Sequence, residues 1–192
     1  MGIPRREISI MKKVLFIFGF AFLIGCAKPA EVQKMVYQRS QPVLMSIDSP
    51  IRETIVIENV VGGQGTKWRS KVGNSEFREA LRRSLDHEGA LTSDPRDAKY
   101  VLNATLVKLE QPFAGAGFNP TVTSIVKYQL IDLKSGKPLF DEVIVSSYTA
   151  KLSDDYWSGS KRLKLANEGS IRENISAFIK KLGTLATEKL GK

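Results

Sequence analysis

The alternation of apolar and polar positions from residue 50 onward predicts a mixture of strands and amphipathic helices. Alternating or β-branched stretches, bounded by glycine, proline or polar clusters, indicate four strands. Apolar residues that recur every three or four positions indicate two helices. The predicted elements, in chain order, are a strand at 53–61, a helix that is capped by Asn74 or Ser75 and runs to about Glu88, strands at 98–107, 122–132 and 139–149, and a helix from about Ser160 to Leu182 or beyond.

Each predicted helix has an apolar stripe and a recognisable end. In the first helix Phe77, Leu81 and Leu85 share one face. Gly89 suits the position just past the end of that helix, because glycine adopts a positive φ without steric cost. In the second helix Gly183 is expected to end or to kink a longer stripe, which consists of Leu163, Ala166, Ile171, Ile175, Phe178, Ile179 and Leu182.

The last two predicted strands are separated by a turn sequence, Lys134-Ser135-Gly136-Lys137. We therefore expect them to pair as an antiparallel hairpin. Two helices and a mostly antiparallel sheet of about four strands, in the order β-α-β-β-β-α, predict an α+β two-layer sandwich. We expect a single domain over residues 43–192. The polar segment 26–42 before it is predicted to be a tether, ordered only where it docks on the fold.

An apolar run near the beginning of the chain has a different character. Residues 14–24 carry no charge, follow Lys12 and Lys13, and lead into Leu23-Ile24-Gly25-Cys26. A secretory signal peptide typically has a basic start, an apolar stretch of about eleven residues and a small residue before the cleavage site. A membrane-spanning helix needs about 20 apolar residues. We therefore predict a signal peptide over residues 1–25, with Met11 as an alternative start and an uncleaved anchor helix as the alternative to cleavage.

The sequence Leu23-Ile24-Gly25-Cys26 resembles the lipobox of bacterial lipoproteins. In that family the cysteine becomes the first mature residue and carries a diacylglycerol on its sulfur and an acyl chain on its amine. The resemblance implies a covalent lipid on Cys26, a membrane attachment and no other cofactor. It also implies the periplasmic face of the outer membrane, because an aspartate after the cysteine retains such proteins in the inner membrane and this chain has Ala27.

The net charge limits the kinds of partner to be expected, and the cysteine content limits how the domain can be stabilised. The formal net charge is +9, and it falls to +6 without the leader, which holds four basic residues and one acidic residue. For a periplasmic domain nucleic acid is an unsuitable partner, so anionic lipid headgroups or lipid A phosphates are the expected anions. A merely solvated basic surface is the commoner alternative. Because Cys26 is the only cysteine, the domain must be held together by its core.

Residues suited to catalysis are few. His87 is the sole histidine, which argues against a catalytic triad and against an imidazole-rich metal site. Its place near the end of the first helix favours a capping or surface role. Asp141-Glu142 lies within a strand, where the two side chains point to opposite faces. We expect no enzymatic activity and no metal site, and a hydrolase that uses Asp154 or Asp155 is the less favoured alternative.

A tryptophan and four basic residues form a candidate site for an anionic lipid or glycan. Lys67, Trp68 and Arg69 follow the first strand, and Arg78 and Arg82 lie four positions apart on one face of the first helix. A tryptophan among cations suits a membrane interface or a phosphorylated sugar. The alternative is a solvated polar face.

Two glycine-rich segments lie between predicted elements. Residues 62–67 lack the spacing of either phosphate-binding glycine motif, which favours an ordinary loop tip. Gly115-Ala116-Gly117 is flanked by Phe113 and Phe118. These aromatic residues either dip into lipid or a partner pocket or anchor the ends of the loop in the core.

The core positions resemble those of small proteobacterial envelope lipoproteins. The matching stretches are Phe77-x-x-Ala80-Leu81, Phe140-Asp141-Glu142 and the closing helix at 162–182. The element order is similar to that of the lipopolysaccharide-assembly lipoprotein family, whose members plug the outer-membrane translocon. The resemblance implies a non-enzymatic accessory or assembly role in envelope biogenesis, with a protein complex or a glycolipid as the partner.

Overall fold

A computed structural model describes residues 30–37, 49–63, 72–112 and 119–190. Single 3₁₀ turns lie at Pro95–Asp97 and Leu152–Asp154, and a π-helical turn follows the last helix at Ala186–Leu190. The helices and strands are α1 (Val32–Met35), β1 (Ile55–Val61), α2 (Asn74–His87), β2 (Tyr100–Glu110), β3 (Thr121–Asp132), β4 (Pro138–Thr149) and α3 (Gly159–Leu185).

The four strands form one sheet in the order β1-β2-β3-β4. β1 and β2 are parallel, since the chain returns through α2 between them. The β2–β3 and β3–β4 pairs are antiparallel. The predicted α+β class with a mostly antiparallel sheet is therefore confirmed, as is the β3–β4 hairpin, whose turn places Gly136 at a φ of +66°. The short helix α1 is an addition to the predicted order, because four residues are too few to show a helical period.

The start of α2 differs from the prediction, whereas its end agrees with it. Gly73 occupies the cap position, and no side chain caps the helix. The side-chain oxygen of Asn74 accepts a hydrogen bond from the backbone N–H of Gly63 at 2.5 Å instead. Asn74 therefore ties the end of β1 to the start of the helix. Gly89 follows the helix with a φ of +64°, as predicted for the residue past its end.

The long helix α3 covers β3 and β4. Ser158 caps it by accepting a hydrogen bond from the backbone N–H of Lys161. Gly183 does not end the helix, which continues to Leu185. The rings of Phe178 and Tyr128 stack with their centroids 4.2 Å apart. The predicted stripe supplies the core side of the helix, with no exposure at Ala166, Ile171, Ile175, Phe178, Ile179 and Leu182.

Two further residues bring α3 close to the sheet. The buried amide of Asn174 donates to the backbone carbonyls of Ser124 at 3.2 Å and Ile144 at 2.9 Å. One turn and a half earlier, a Cβ on Gly169 would lie 2.2 Å from Cδ1 of Tyr148. The helix therefore contacts β4 at a distance that only glycine allows at this position.

Part of the predicted tether belongs to the core. Ala30, Met35 and Val36 are buried, and the backbone N–H of Tyr37 donates to Oγ of Ser84 on α2 at 2.9 Å. Residues 30–37 thus dock on both long helices. The tether was predicted to be ordered only where it docks on the fold, and this part of it does dock. The physical reason is that the apolar side chains of this segment, with Val32 and Tyr37 partly buried beside the three buried residues, pack on the hydrophobic core.

The face of the sheet opposite α3 carries exposed side chains. On β4 the outward positions include Val143 and Val145, which are 55% and 60% exposed. Lys127 and Asp141 form a cross-strand ion pair on the same face at 2.9 Å. In the described part of the chain this face therefore has both apolar and charged character.

Candidate functional site

The N-terminal segment docks through a buried carboxylate on α3. Oε1 of Glu168 accepts a hydrogen bond from the backbone N–H of Glu31 at 2.7 Å. Nζ of Lys164 lies 3.7 Å from the same oxygen and 2.5 Å from Oε1 of Glu31. Arg172, further along α3, donates to the carbonyl of Lys34 at 3.1 Å. Three successive positions on one helix face therefore hold the segment.

Burial shapes the chemistry of Glu168. Its side chain is 1% exposed, and desolvation raises the pKa of its carboxyl group despite the opposing N–H of Glu31 and the charge of Lys164. Its second oxygen, Oε2, has no hydrogen-bond partner. The carboxyl is thus a docking group whose charged form is disfavoured.

The predicted anionic-ligand patch is only partly visible. Lys67, Trp68 and Arg69 lie outside the described residues, as do the predicted lipobox Leu23-Ile24-Gly25-Cys26 and the segment that contains Gly115 and Gly117. Arg78 and Arg82 do lie on one face of α2, as predicted. Both line an open groove of about 350 Å³ between α2, the outer edge of β1 and residues 91–93.

The cations of this groove already have partners. Arg78 donates to the carbonyl of Glu58 at 2.6 Å, at the residue where the register of β1 shifts. Arg82 makes two hydrogen bonds to Glu79, at 2.8 and 3.0 Å. Arg83 bonds the same carboxylate at 2.6 Å, as its spacing predicts. These bonds from Arg82 and Arg83 lower the pKa of Glu79 to about 2. With Asp86 also in the lining, the groove has mixed charge.

The other candidate carboxylates act in local structure. Asp154 accepts a hydrogen bond from the backbone N–H of Lys151 at 2.8 Å. Partial burial opposes the charge of Asp155, but the N–H groups of Ser158 and Trp157 and the amine of Lys161 outweigh it and lower the pKa of its carboxyl. A carboxylate held ionised by its own loop is poorly suited to proton transfer at neutral pH. The geometry therefore assigns both aspartates to loop formation.

The remaining sequence candidates are separated in space. Asp141 pairs with Lys127 on the open face of the sheet, whereas Glu142 pairs with Lys181 on α3. Their predicted projection to opposite faces is confirmed. His87 is the last residue of α2. Within the described ranges no group of three or more histidine, cysteine or acidic residues is placed to hold a metal ion.

One exposed feature was missed from the sequence. Trp157 is 97% exposed and Tyr156 is 66% exposed, in the loop between β4 and α3. The signal that could have found them is an aromatic pair inside a polar loop, directly before a helix. No helix among the described residues is both long and apolar enough to cross a membrane.

These features define a class of protein, a small two-layer α+β domain with its N-terminal segment packed on its C-terminal helix. A DUF330-family protein from Xanthomonas campestris has a similar fold, with 9% identity, coverage of 82% of this chain and 95% of that protein, and a TM-score of 0.58. A hypothetical protein from Chlamydia trachomatis shares 12% identity, with 70% and 98% covered and a TM-score of 0.50. A minor lipoprotein from Acinetobacter baumannii has a TM-score of 0.46, at 12% identity over 70% of this chain and 94% of that protein. No family model and no curated protein matches the chain. At such identities the likeness concerns the fold alone.

Proposed function

We propose that this protein is a lipid-anchored accessory protein of the bacterial envelope, without catalytic activity, on the periplasmic face of the outer membrane. One observation carries the proposal: the lipobox cysteine, Cys26, precedes Ala30 by only four residues, and Ala30 is buried in the core. A leader that ends directly before the folded domain suits a protein whose domain is mounted on a membrane by its first mature residue. The finer similarity to the lipopolysaccharide-assembly lipoproteins stays a prediction.

The anchor is tested by intact mass spectrometry and by labelling with a palmitate analogue. We expect acyl chains on Cys26 in the wild type and none in Cys26→Ala. Sorting is tested by density-gradient separation of the two membranes. The wild type should fractionate with the outer membrane, and Ala27→Asp should move to the inner membrane. A non-acylated mature protein would overturn the anchor, and an inner-membrane wild type would overturn the location.

The accessory role predicts a protein partner. Supporting it are the exposed valines at 143 and 145 on the open sheet face, since apolar residues that adjoin on a surface often mark interaction sites. A photo-crosslinking residue at Val145 should capture a partner in vivo, recovered from detergent-solubilised membranes. The same probe at Lys180, exposed on α3, is the matched control. Recovery of the protein alone from both positions, without a partner protein or a glycolipid, would refute the role.

A second candidate function is the binding of an anionic lipid or glycan. The observation in its favour is that Arg78 and Arg82 line one groove. If it is correct, replacing Trp68, Arg69, Arg78 and Arg82 together should weaken binding to lipopolysaccharide and to anionic vesicles. Arg83→Ala is the control, because Arg83 lies on the same helix and also pairs with Glu79. Unchanged binding after the fourfold replacement would exclude this function.

A further inference from the structure

Two large aromatic side chains are exposed to water at the start of α3. Trp157 is 97% exposed and Tyr156 66% exposed, although both residue types ordinarily bury most of their area. Rings that combine an apolar body with a polar tip are enriched where a membrane meets water. An exposed pair on one loop therefore suits a surface of that mixed character.

Hydrogen bonds fix the loop that carries these rings. Oδ1 of Asp155 accepts from the backbone N–H groups of Trp157 at 3.0 Å and Ser158 at 2.9 Å. The carbonyl of Asp155 accepts from the guanidinium of buried Arg162. Because the loop is tied to the first turn of α3, the aromatic pair has a defined place on the domain.

The path of the N-terminal segment leads toward this loop. Followed toward its beginning, the chain contacts α3 first at Arg172, through the carbonyl of Lys34. It then contacts Glu168 and Lys164, through Glu31. The contacts thus move toward the N-terminal end of α3. The four residues from Cys26 to Ala30 span at most about 14 Å, so a lipid on Cys26 would hold the membrane close to Ala30, on the side of the domain toward which these contacts lead.

The charges around the loop nearly cancel. Lys151, Lys161 and the buried Arg162 lie beside Asp154 and Asp155, three cations with two anions. Attraction to anionic headgroups is therefore weak, and contact through the aromatic rings should depend little on salt. This property distinguishes the loop from the basic residues of α2.

We propose that the Tyr156–Trp157 loop is the edge by which the domain rests in the headgroup region of the bilayer that holds its own anchor. The inference depends on the lipid anchor of Cys26 proposed above. It adds an orientation: the N-terminal end of α3 faces the membrane, and the rings of the loop enter the interface.

The test uses the full acylated protein in vesicles of phosphatidylethanolamine and phosphatidylglycerol. Trp68→Phe leaves Trp157 as the sole tryptophan. We expect its emission to shift to shorter wavelength and to be quenched by lipids brominated near the headgroup, at low and at high salt alike. Acrylamide in the water should quench it less than it quenches free tryptophan.

A relocated reporter is the matched control. In a protein with Trp68→Phe, Trp157→Phe and Val145→Trp, the reporter lies on the open sheet face, and we expect emission typical of water and no lipid quenching. Equal quenching at both positions, or a water-exposed Trp157 in protein that mass spectrometry shows to be acylated, would overturn the orientation and leave the anchor intact. Absence of acyl chains on Cys26 would instead overturn the proposed function and the orientation together.

Discussion

Gly169→Ala should destabilise the domain although alanine is the better helix former. The added Cβ would lie 2.2 Å from Cδ1, 2.3 Å from Cγ and 2.7 Å from Cε1 of Tyr148. Cγ and Cδ1 are close to the β4 backbone, so relief requires movement of the ring or of the helix. The ring also receives the guanidinium of Arg172 at 5.4 Å, and that contact would be disturbed.

The change in stability is the sum of two destabilising contributions and one stabilising contribution. Overpacking of a dense site costs about 1–3 kcal/mol, and loss of a cation–π contact costs about 0.5–1 kcal/mol. Replacing glycine by alanine inside a helix contributes about 1 kcal/mol in the other direction. We expect a net loss of about 0.5–3 kcal/mol in the free energy of unfolding, toward the upper end because the shortest contact is far inside the van der Waals distance.

The assay is urea unfolding of a protein that begins at Ala27, with circular dichroism as the signal that reports the folded fraction. Gly159→Ala is the matched control on the same helix, because its Cβ would meet only the end of the Arg162 side chain at 3.7 Å. In a Tyr148→Ala background, Gly169→Ala should become neutral or stabilising, since the clash is removed. A Gly169→Ala protein as stable as the wild type would refute the close approach of α3 to β4.

Further predictions concern polar groups inside the fold. The raised pKa of Glu168 means that the folded state holds a proton where the unfolded state, with a pKa near 4.5, has released it; stability should therefore fall as pH rises from about 4.5 through the folded-state pKa. Urea unfolding from pH 4 to 8 should show that the stability of Glu168→Gln depends less on pH than the stability of the wild type. The same dependence of stability on pH in both proteins would contradict this prediction. Asn174→Ala should cost about 2–3 kcal/mol, because it leaves two buried carbonyls without their donor. A urea midpoint equal to that of the wild type would show that these two hydrogen bonds contribute nothing.

Elements with a long period could be predicted from the sequence. The stripe of α3 from Ile171 to Leu182 repeats over several turns, and the alternation in β3 and β4 brackets a turn with glycine. Both signals are local, and both elements appear with nearly the predicted bounds. The parallel pairing of β1 with β2 could not be predicted in this way, because partner choice depends on contacts distant along the chain.

The site was less predictable for the same reason. The helical spacing alone places Arg78 and Arg82 on one face. Their hydrogen bonds, from Arg78 to the carbonyl of Glu58 and from Arg82 to the carboxylate of Glu79, form only in the folded arrangement. The docking of Met35 gave no periodic signal, since only four residues of α1 are helical. The exposure of Trp157 could not be predicted, because the exposure of a side chain depends on its neighbours in the fold and not on its own chemistry.

The packing of the first described residues on the last helix constrains when the domain can finish folding. The hydrogen bond from Glu31 to Glu168 joins residues 137 positions apart in the sequence, and such long-range contacts form late because the intervening chain must first be closed into a loop. A chain exported from its N-terminus would cross the membrane with residues 30–37 lacking their docking surface until α3 had followed. If Cys26 is acylated as proposed, that interval would give the acylating and cleaving enzymes access to the cysteine before the domain has closed beside it.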